Sequence, residues 1–144
     1  MIRVKVKKLR DEAIIPSYAH DGDSGVDLYA IEDMEIYPYG GRVLVPTGLS
    51  MAIPKGYEGL IRPRSGNALK RGITVLNTPG TIDSNYRGEI GVILCNTTRE
   101  KIYIHSGDRI AQMVFKEVPK VEFDICDELD ETDRGTGGFG STGM

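Results

Sequence analysis

The segment Leu76-Asn77-Thr78-Pro79-Gly80-Thr81-Ile82-Asp83-Ser84-Asn85-Tyr86-Arg87-Gly88-Glu89 holds the residues best suited to chemistry. Two strand-like runs flank its Pro-Gly turn, so Asn77 and Asp83 are expected to face each other across a hairpin. Asn77 carries an amide donor and an acceptor, a pair that suits the edge of a pyrimidine. Asp83 can take a proton from water as a general base, and the Tyr86 ring can pack against a sugar. The same residues also suit a plain turn in which Asp and Asn satisfy backbone N–H groups. The residues of this segment leave both readings open.

Other segments suit anions. Arg64-Ser65-Gly66 in the run Arg62–Asn67 precedes a short helical stretch, where free N–H groups attract negative charge. The alternative there is an ordinary N-cap with solvated arginines. In Gly107-Asp108-Arg109-Ile110-Ala111-Gln112, Gln112 interrupts an apolar strand and can reach a phosphate, while Asp108 and Arg109 are placed to pair with each other. Asp27 lies between Val26 and Leu28, a carboxylate bracketed by core residues. It can cap a turn, hold a hydrated Mg²⁺ or orient a catalytic group.

The C-terminal end is different in kind. Six acids and no base occupy 124–133, and five of the nine residues from Gly135 to Gly143 are glycine. Composition alone describes a disordered tail. Arg134, the lone Phe139 and the hydroxyls of Ser141 and Thr142 suggest instead a mobile arm that closes over an anionic aromatic ligand. Gly135, Gly140 and Thr142 match part of a P-loop, yet Ser141 stands at the lysine position and no helix can follow. A P-loop NTPase is excluded. A backbone anion nest with an arginine fork remains.

These groups must be held by strands. Apolar residues alternate at Ile2/Val4/Val6, Met34/Ile36, Val43–Val45, Leu49/Met51/Ile53, Ile73/Val75, Ile90/Val92/Leu94, Ile102/Ile104 and Met113–Phe115. Turn formers separate them at 38–41, 54–56, 78–80 and 106–108. One short helix is expected near Asn67–Lys70, stopped by Gly72. The pattern predicts an all-β sandwich, jelly roll or barrel.

Composition narrows the function classes. The chain has 144 residues, with 18 Lys and Arg against 21 Asp and Glu, a net charge of −3. That balance argues against general affinity for nucleic acid or an anionic membrane. No apolar run is long enough to span a bilayer, and the charged, alternating start lacks the core of a secretory signal, so a cytoplasmic protein is expected. Cys95 and Cys126 form no CxxC pair, which fits a reduced chain without a zinc site. Cys95 reads as core filler, and His20 and His105 receive no role.

Taken together, Ser24–Ala30, Arg62–Asn67, Asn77–Gly88, Gly107–Gln112 and Arg134–Gly143 resemble the five motifs of the trimeric dUTP pyrophosphatases (dUTPases), in order and over nearly the whole chain. The resemblance implies an all-β, jelly-roll-like β-sandwich or distorted barrel (a β-clip) with one short helix and a flexible Gly-rich C-terminal arm. Residues 1–123 would form the jelly-roll domain, and 124–144 the acidic stretch and arm. It implies a homotrimer with sites at subunit interfaces, no nucleic-acid or membrane partner, and dUTP as the substrate, hydrolysed to dUMP and pyrophosphate.

Residue roles follow from the same resemblance. Asp83 would activate the water that attacks the α-phosphorus. Asn77, with Gly80, Thr81 and Ile82 of the hairpin, would read uracil, and Tyr86 would pack under the deoxyribose. Arg64, Ser65, Gly66 and Gln112 would bind phosphate oxygens. Asp27 would act through water on an Mg²⁺ carried by the triphosphate. From the arm, Phe139 would stack on uracil, with Arg134, Gly140, Ser141 and Thr142 around the ligand. The nearest alternative on this fold is a dCTP deaminase, alone or bifunctional. Ile93 stands where those enzymes carry a catalytic Glu, and Ile cannot shuttle protons. A non-catalytic nucleotide-binding module is the other alternative, and it would be expected to lack Asp83 or the arm.

Overall fold

Strongly punctuated sequence gives short strands. The computed structural model describes residues 1–143, and within them eleven strands and one helix. In chain order they are β1 (Lys5–Lys8), β2 (Val26–Tyr29), β3 (Met34–Ile36), β4 (Arg42–Pro46), β5 (Leu49–Ala52), β6 (Tyr57–Arg62), α1 (Ser65–Arg71), β7 (Ile73–Val75), β8 (Gly80–Ile82), β9 (Gly91–Asn96), β10 (Ile102–Ile104) and β11 (Arg109–Glu117). All ladders are antiparallel: β2-β11-β6-β8, β4-β9-β7, β1-β5 and β3-β10. No sheet closes into a barrel. The architecture is all-β and jelly-roll-like, as expected.

The two larger sheets share one core. Leu28 and Met113 from one, and Val45, Val92 and Leu94 from the other, are wholly buried in a single cluster with Ile36, Ile90 and Ile104. Each such side chain contributes about 1.5–3 kcal/mol relative to exposure. Cys95 is buried outside that cluster and Cys126 is exposed. His105 follows β10 directly, at the strand end.

Three expectations change. Strand β6, central in its sheet, was not marked by alternation because Gly59, Leu60 and Ile61 are buried in succession. A strand covered on both faces loses its period of two. The helix begins at Ser65 rather than Asn67, and Gly72 closes it in the left-handed region at φ 62°. Most important, β7 and β8 do not pair with each other. The 76–79 turn carries the chain from the β4-β9-β7 sheet to the edge of β6, so Asn77 and Asp83 do not face across a ladder.

β11 positions the polar groups. Arg109 and Gln112 are three residues apart, which on a regular strand puts them on opposite faces. A bulge between Arg109 and Ala111 inserts one residue against β2 and returns both to one side. Gln112 lies directly opposite Asp27 in the register.

Candidate active site

Asp27, Arg64, Ser65, Gly66, Arg109 and Gln112 line one pocket of about 400 Å³. It lies between the 17–25 segment, β2, the head of α1 and β11. Arg64 Nε donates to Asp27 Oδ1 at 2.8 Å, and Arg109 Nε stands 3.6 Å from Asp27 Oδ2. The carboxylate orients Arg64 through Nε, while the two Nη groups make no hydrogen bond among the described residues. A guanidinium held in this way presents its remaining donors to an oxyanion. Ser65 is the first helical residue, not the cap; the cap is Arg64, with no side-chain capping bond. The Ser65 hydroxyl is therefore free for a ligand.

Gln112 is also fixed. Its Nε2 donates to the Pro63 carbonyl at 3.0 Å, and its Oε1 would lie 2.6 Å from a Cβ placed at Gly25. Only glycine admits the amide this closely. Sequence reasoning missed this and the buried Asn67, whose Nδ2 donates to the Arg109 carbonyl at 3.0 Å and ties α1 to the bulge. It also paired Asp108 with Arg109. Asp108 instead accepts from the His105 N–H at 2.9 Å, and Arg109 turns to Asp27. No local pattern encodes a bulge, so the pairing was not legible.

Asn77, Gly80, Thr81, Ile82 and Tyr86 line a second, separate groove of about 530 Å³, together with Arg10, Glu32, Glu89 and Ile93. The Asn77 amide packs over Gly80, 3.2 Å from a Cβ there, and makes no hydrogen bond among the described residues. Tyr86 OH donates to the Glu89 carbonyl at 2.8 Å, and the side chain lies so close over Gly88 that a Cβ there would meet the hydroxyl at 2.5 Å and the ring at 2.7 Å. That pins a flat aromatic wall. Asp83 is exposed and lines a different hollow, with Lys55, Glu58 and Lys120. Its carboxylate has no partner among the described residues.

The arm meets neither pocket. Beyond Val118, whose N–H bonds the Gly56 carbonyl, its hydrogen bonds are local, as in Arg134 Nε to Gly137 O at 2.9 Å and Ser141 N to Gly138 O at 3.1 Å. Phe139 stands fully in solvent at φ 51°, and Gly140, Thr142 and Ser141 are exposed beside it. Met144 lies outside the described residues.

Among the described residues no three His, Cys, Asp or Glu side chains converge as a metal cage. The donor chemistry here suits a cation that keeps waters and phosphate oxygens as ligands, as Mg²⁺ does. Asp27, half-buried at the mouth of the anion pocket, fits an outer contact to such an ion.

The dUTPase family model matches residues 11–143. The chain is 54% identical to the deoxyuridine 5'-triphosphate nucleotidohydrolase of a Hydrogenobaculum species, over 99% of both chains. It is 55% identical to that of Gloeothece citriformis, over 99% of this chain and 98% of the other. Among solved structures, the Staphylococcus bacteriophage 80alpha dUTPase with dUPNHPP superposes with a TM-score of 0.91 at 27% identity, covering 100% of both chains. A mutant dUTPase from phage phi11 of S. aureus, described for its coordination of a structural Mg(II) ion, shares the fold with a TM-score of 0.82 at 24% identity, over 90% of this chain and 100% of that one.

Proposed function

Because the chain belongs to the dUTPase family, we propose how its own residues divide the hydrolysis of dUTP to dUMP and pyrophosphate. The observation that carries the reading is the separation of the parts. The anion pocket and the Asn77 groove have no lining residue in common, Asp83 opens on a third hollow, and the arm covers none of them. One chain thus carries the pieces of a site without assembling them. A homotrimer brings the pocket of one copy to the groove of the next and lays the arm of another over both. Residues 1–123 form the body of each copy, and 124–144 the acidic approach and arm.

In the groove, the unpartnered Asn77 amide and the backbone of Gly80, Thr81 and Ile82 read the uracil edge. A site that donates to O4 and accepts from N3–H is left with unpaired groups when cytosine enters, a large penalty. Thymine is rejected at its methyl group by the groove walls. Tyr86, fixed by its bond to Glu89, packs under the deoxyribose and leaves no space for a 2′-hydroxyl. Arg64, Ser65, Gly66 and Gln112 bind the phosphate oxygens and stabilise charge on the leaving pyrophosphate. Asp27 would hold Mg²⁺ through water, and the ion would supply charge neutralisation on the triphosphate. Asp83, exposed and uncommitted, takes the proton of the water that attacks the α-phosphorus. Arg134, Phe139, Gly140, Ser141 and Thr142 close the site and exclude bulk water.

No described helix is long and apolar enough to cross a membrane. We place the enzyme in the cytoplasm, acting on a free nucleotide and not on nucleic acid. The test is pyrophosphate release from dUTP, dCTP and dTTP with Mg²⁺. We expect at least about a hundredfold preference for dUTP in kcat/KM, because cytosine leaves polar groups of the groove unpaired and the thymine methyl group meets its walls. Equal turnover of the three, or ammonia release from dCTP, would overturn the reading.

A further inference from the structure

The Tyr86 wall owes its place to more than its own hydroxyl bond. That bond ends on the Glu89 carbonyl, 2.8 Å away. The peptide unit joining Glu89 to Ile90 is planar, so its N–H points away from that carbonyl. The Ile90 N–H donates to the Leu49 carbonyl at 2.8 Å. One rigid unit therefore ties the ring to the start of β5.

The turn before β5 grips the same two residues. The hydroxyl of the buried Thr47 donates to the Ile90 carbonyl at 2.6 Å. The buried Gly48 N–H donates to Glu89 Oε1 at 3.0 Å, its one acceptor among the described residues. Gly48 is itself tightly packed. Its carbonyl accepts from the Leu9 N–H at 2.7 Å, and a Cβ there would lie 2.9 Å from Ala13. Glu89 is thus a half-buried carboxylate on a wall of the Asn77 groove, bonded to the backbone of a fixed turn.

We infer that Glu89 is a positioning residue for sugar selection: its carboxylate, bound to the Gly48 N–H, braces the peptide that anchors Tyr86 and so holds the ring where a 2′-hydroxyl has no room. The inference rests on the dUTP site proposed above and adds the brace behind its sugar wall. Without the carboxylate, a buried N–H has no acceptor, which is costly. Water entering to satisfy it separates the 47–49 turn from Glu89 and Ile90, and the Tyr86 anchor moves with them. A ring that can retreat makes room for a 2′-hydroxyl. A sugar without that hydroxyl gains nothing from the space.

The experiment measures KM and kcat for dUTP and UTP with Mg²⁺ in wild type, Glu89→Ala, Glu89→Gln, Tyr86→Phe and Tyr86→Ala. Glu89→Ala should lower the dUTP-to-UTP preference in kcat/KM about five- to tenfold, the worth of one hydrogen bond, through a lower KM for UTP. Glu89→Gln keeps an oxygen that accepts the Gly48 N–H and should hold the preference within about twofold of wild type. Tyr86→Phe cuts the same tie at the hydroxyl and should match Glu89→Ala, with little more lost in the double variant. A residue that only braced the fold would slow both substrates alike and leave the ratio unmoved. An unchanged ratio in Glu89→Ala, or a Glu89→Gln as relaxed as Glu89→Ala, overturns the proposal. Tyr86→Phe removes a single oxygen, so it reads the tie even where Glu89→Ala does not fold, and an unchanged ratio there overturns the proposal as well. If Tyr86→Ala relaxes the preference and Glu89→Ala does not, only the brace is wrong. If Tyr86→Ala leaves the preference intact, the sugar reading of the groove falls and this inference with it.

Discussion

Asp27 and Asp83 show how surroundings divide work between two identical side chains. Asp27 is held between two arginines, hydrogen-bonded to Arg64 at 2.8 Å and 3.6 Å from Arg109. Asp83 stands in solvent without a partner among the described residues, which leaves its carboxylate open to a water, as the proposed base requires. Asp83→Asn keeps the size of the side chain and removes its basicity. Steady-state kinetics should show kcat for dUTP falling about a hundredfold or more, with KM little changed. A rate within threefold of wild type would assign the base elsewhere. At this scale the sequence was informative about residue types and silent about pairings. Asn77 could be read as a pyrimidine partner because its amide has two polarities, whereas the Arg109 contact to Asp27 depends on a bulge that local sequence does not announce. Gly25 gave no signal either, since its importance lies in the approach of Gln112 from a strand far along the chain.

Strands and turns aim these groups. The β11 bulge sets Arg109 and Gln112 on one face, Asn67 ties α1 to that bulge, and the 76–79 turn moves the chain from sheet to sheet. Where one face was solvated, as in β3 or β10, alternation located the strand. In β6, covered on both sides, it could not. The turn at 78–80 was read correctly as a turn and wrongly as the end of a hairpin, because turn chemistry does not say which strands will pair. The arm is the element with least hold on its own chain. Its side chains at Ile125, Leu129 and Phe139 are almost wholly exposed. Deleting 134–144 should leave the thermal midpoint within about 2 °C of wild type, since few contacts are lost. The same deletion should lower kcat/KM about tenfold or more through loss of closure. A large fall in the midpoint would make the arm a structural brace instead.

The whole molecule is a body that displays its functional parts in hollows with no lining residue in common. The anion pocket, the Asn77 groove, the Asp83 hollow and the arm are each formed locally, and none completes another within one chain. Net charge misleads at this scale, because a total of −3 conceals arginines gathered in the motifs and acids gathered before the arm. The order of the motifs was legible in the sequence. Their distribution over separate hollows became visible only with the fold, since it depends on which sheet each strand enters. A site shared between copies is tested directly by dUTP turnover of a co-refolded mixture of two inactive variants, Asp83→Asn and Arg64→Gln. Each supplies what the other lacks, so about a quarter of the interfaces should be intact by random assortment and activity should return to about that fraction of wild type. A mixture no more active than its separate components would contradict the account.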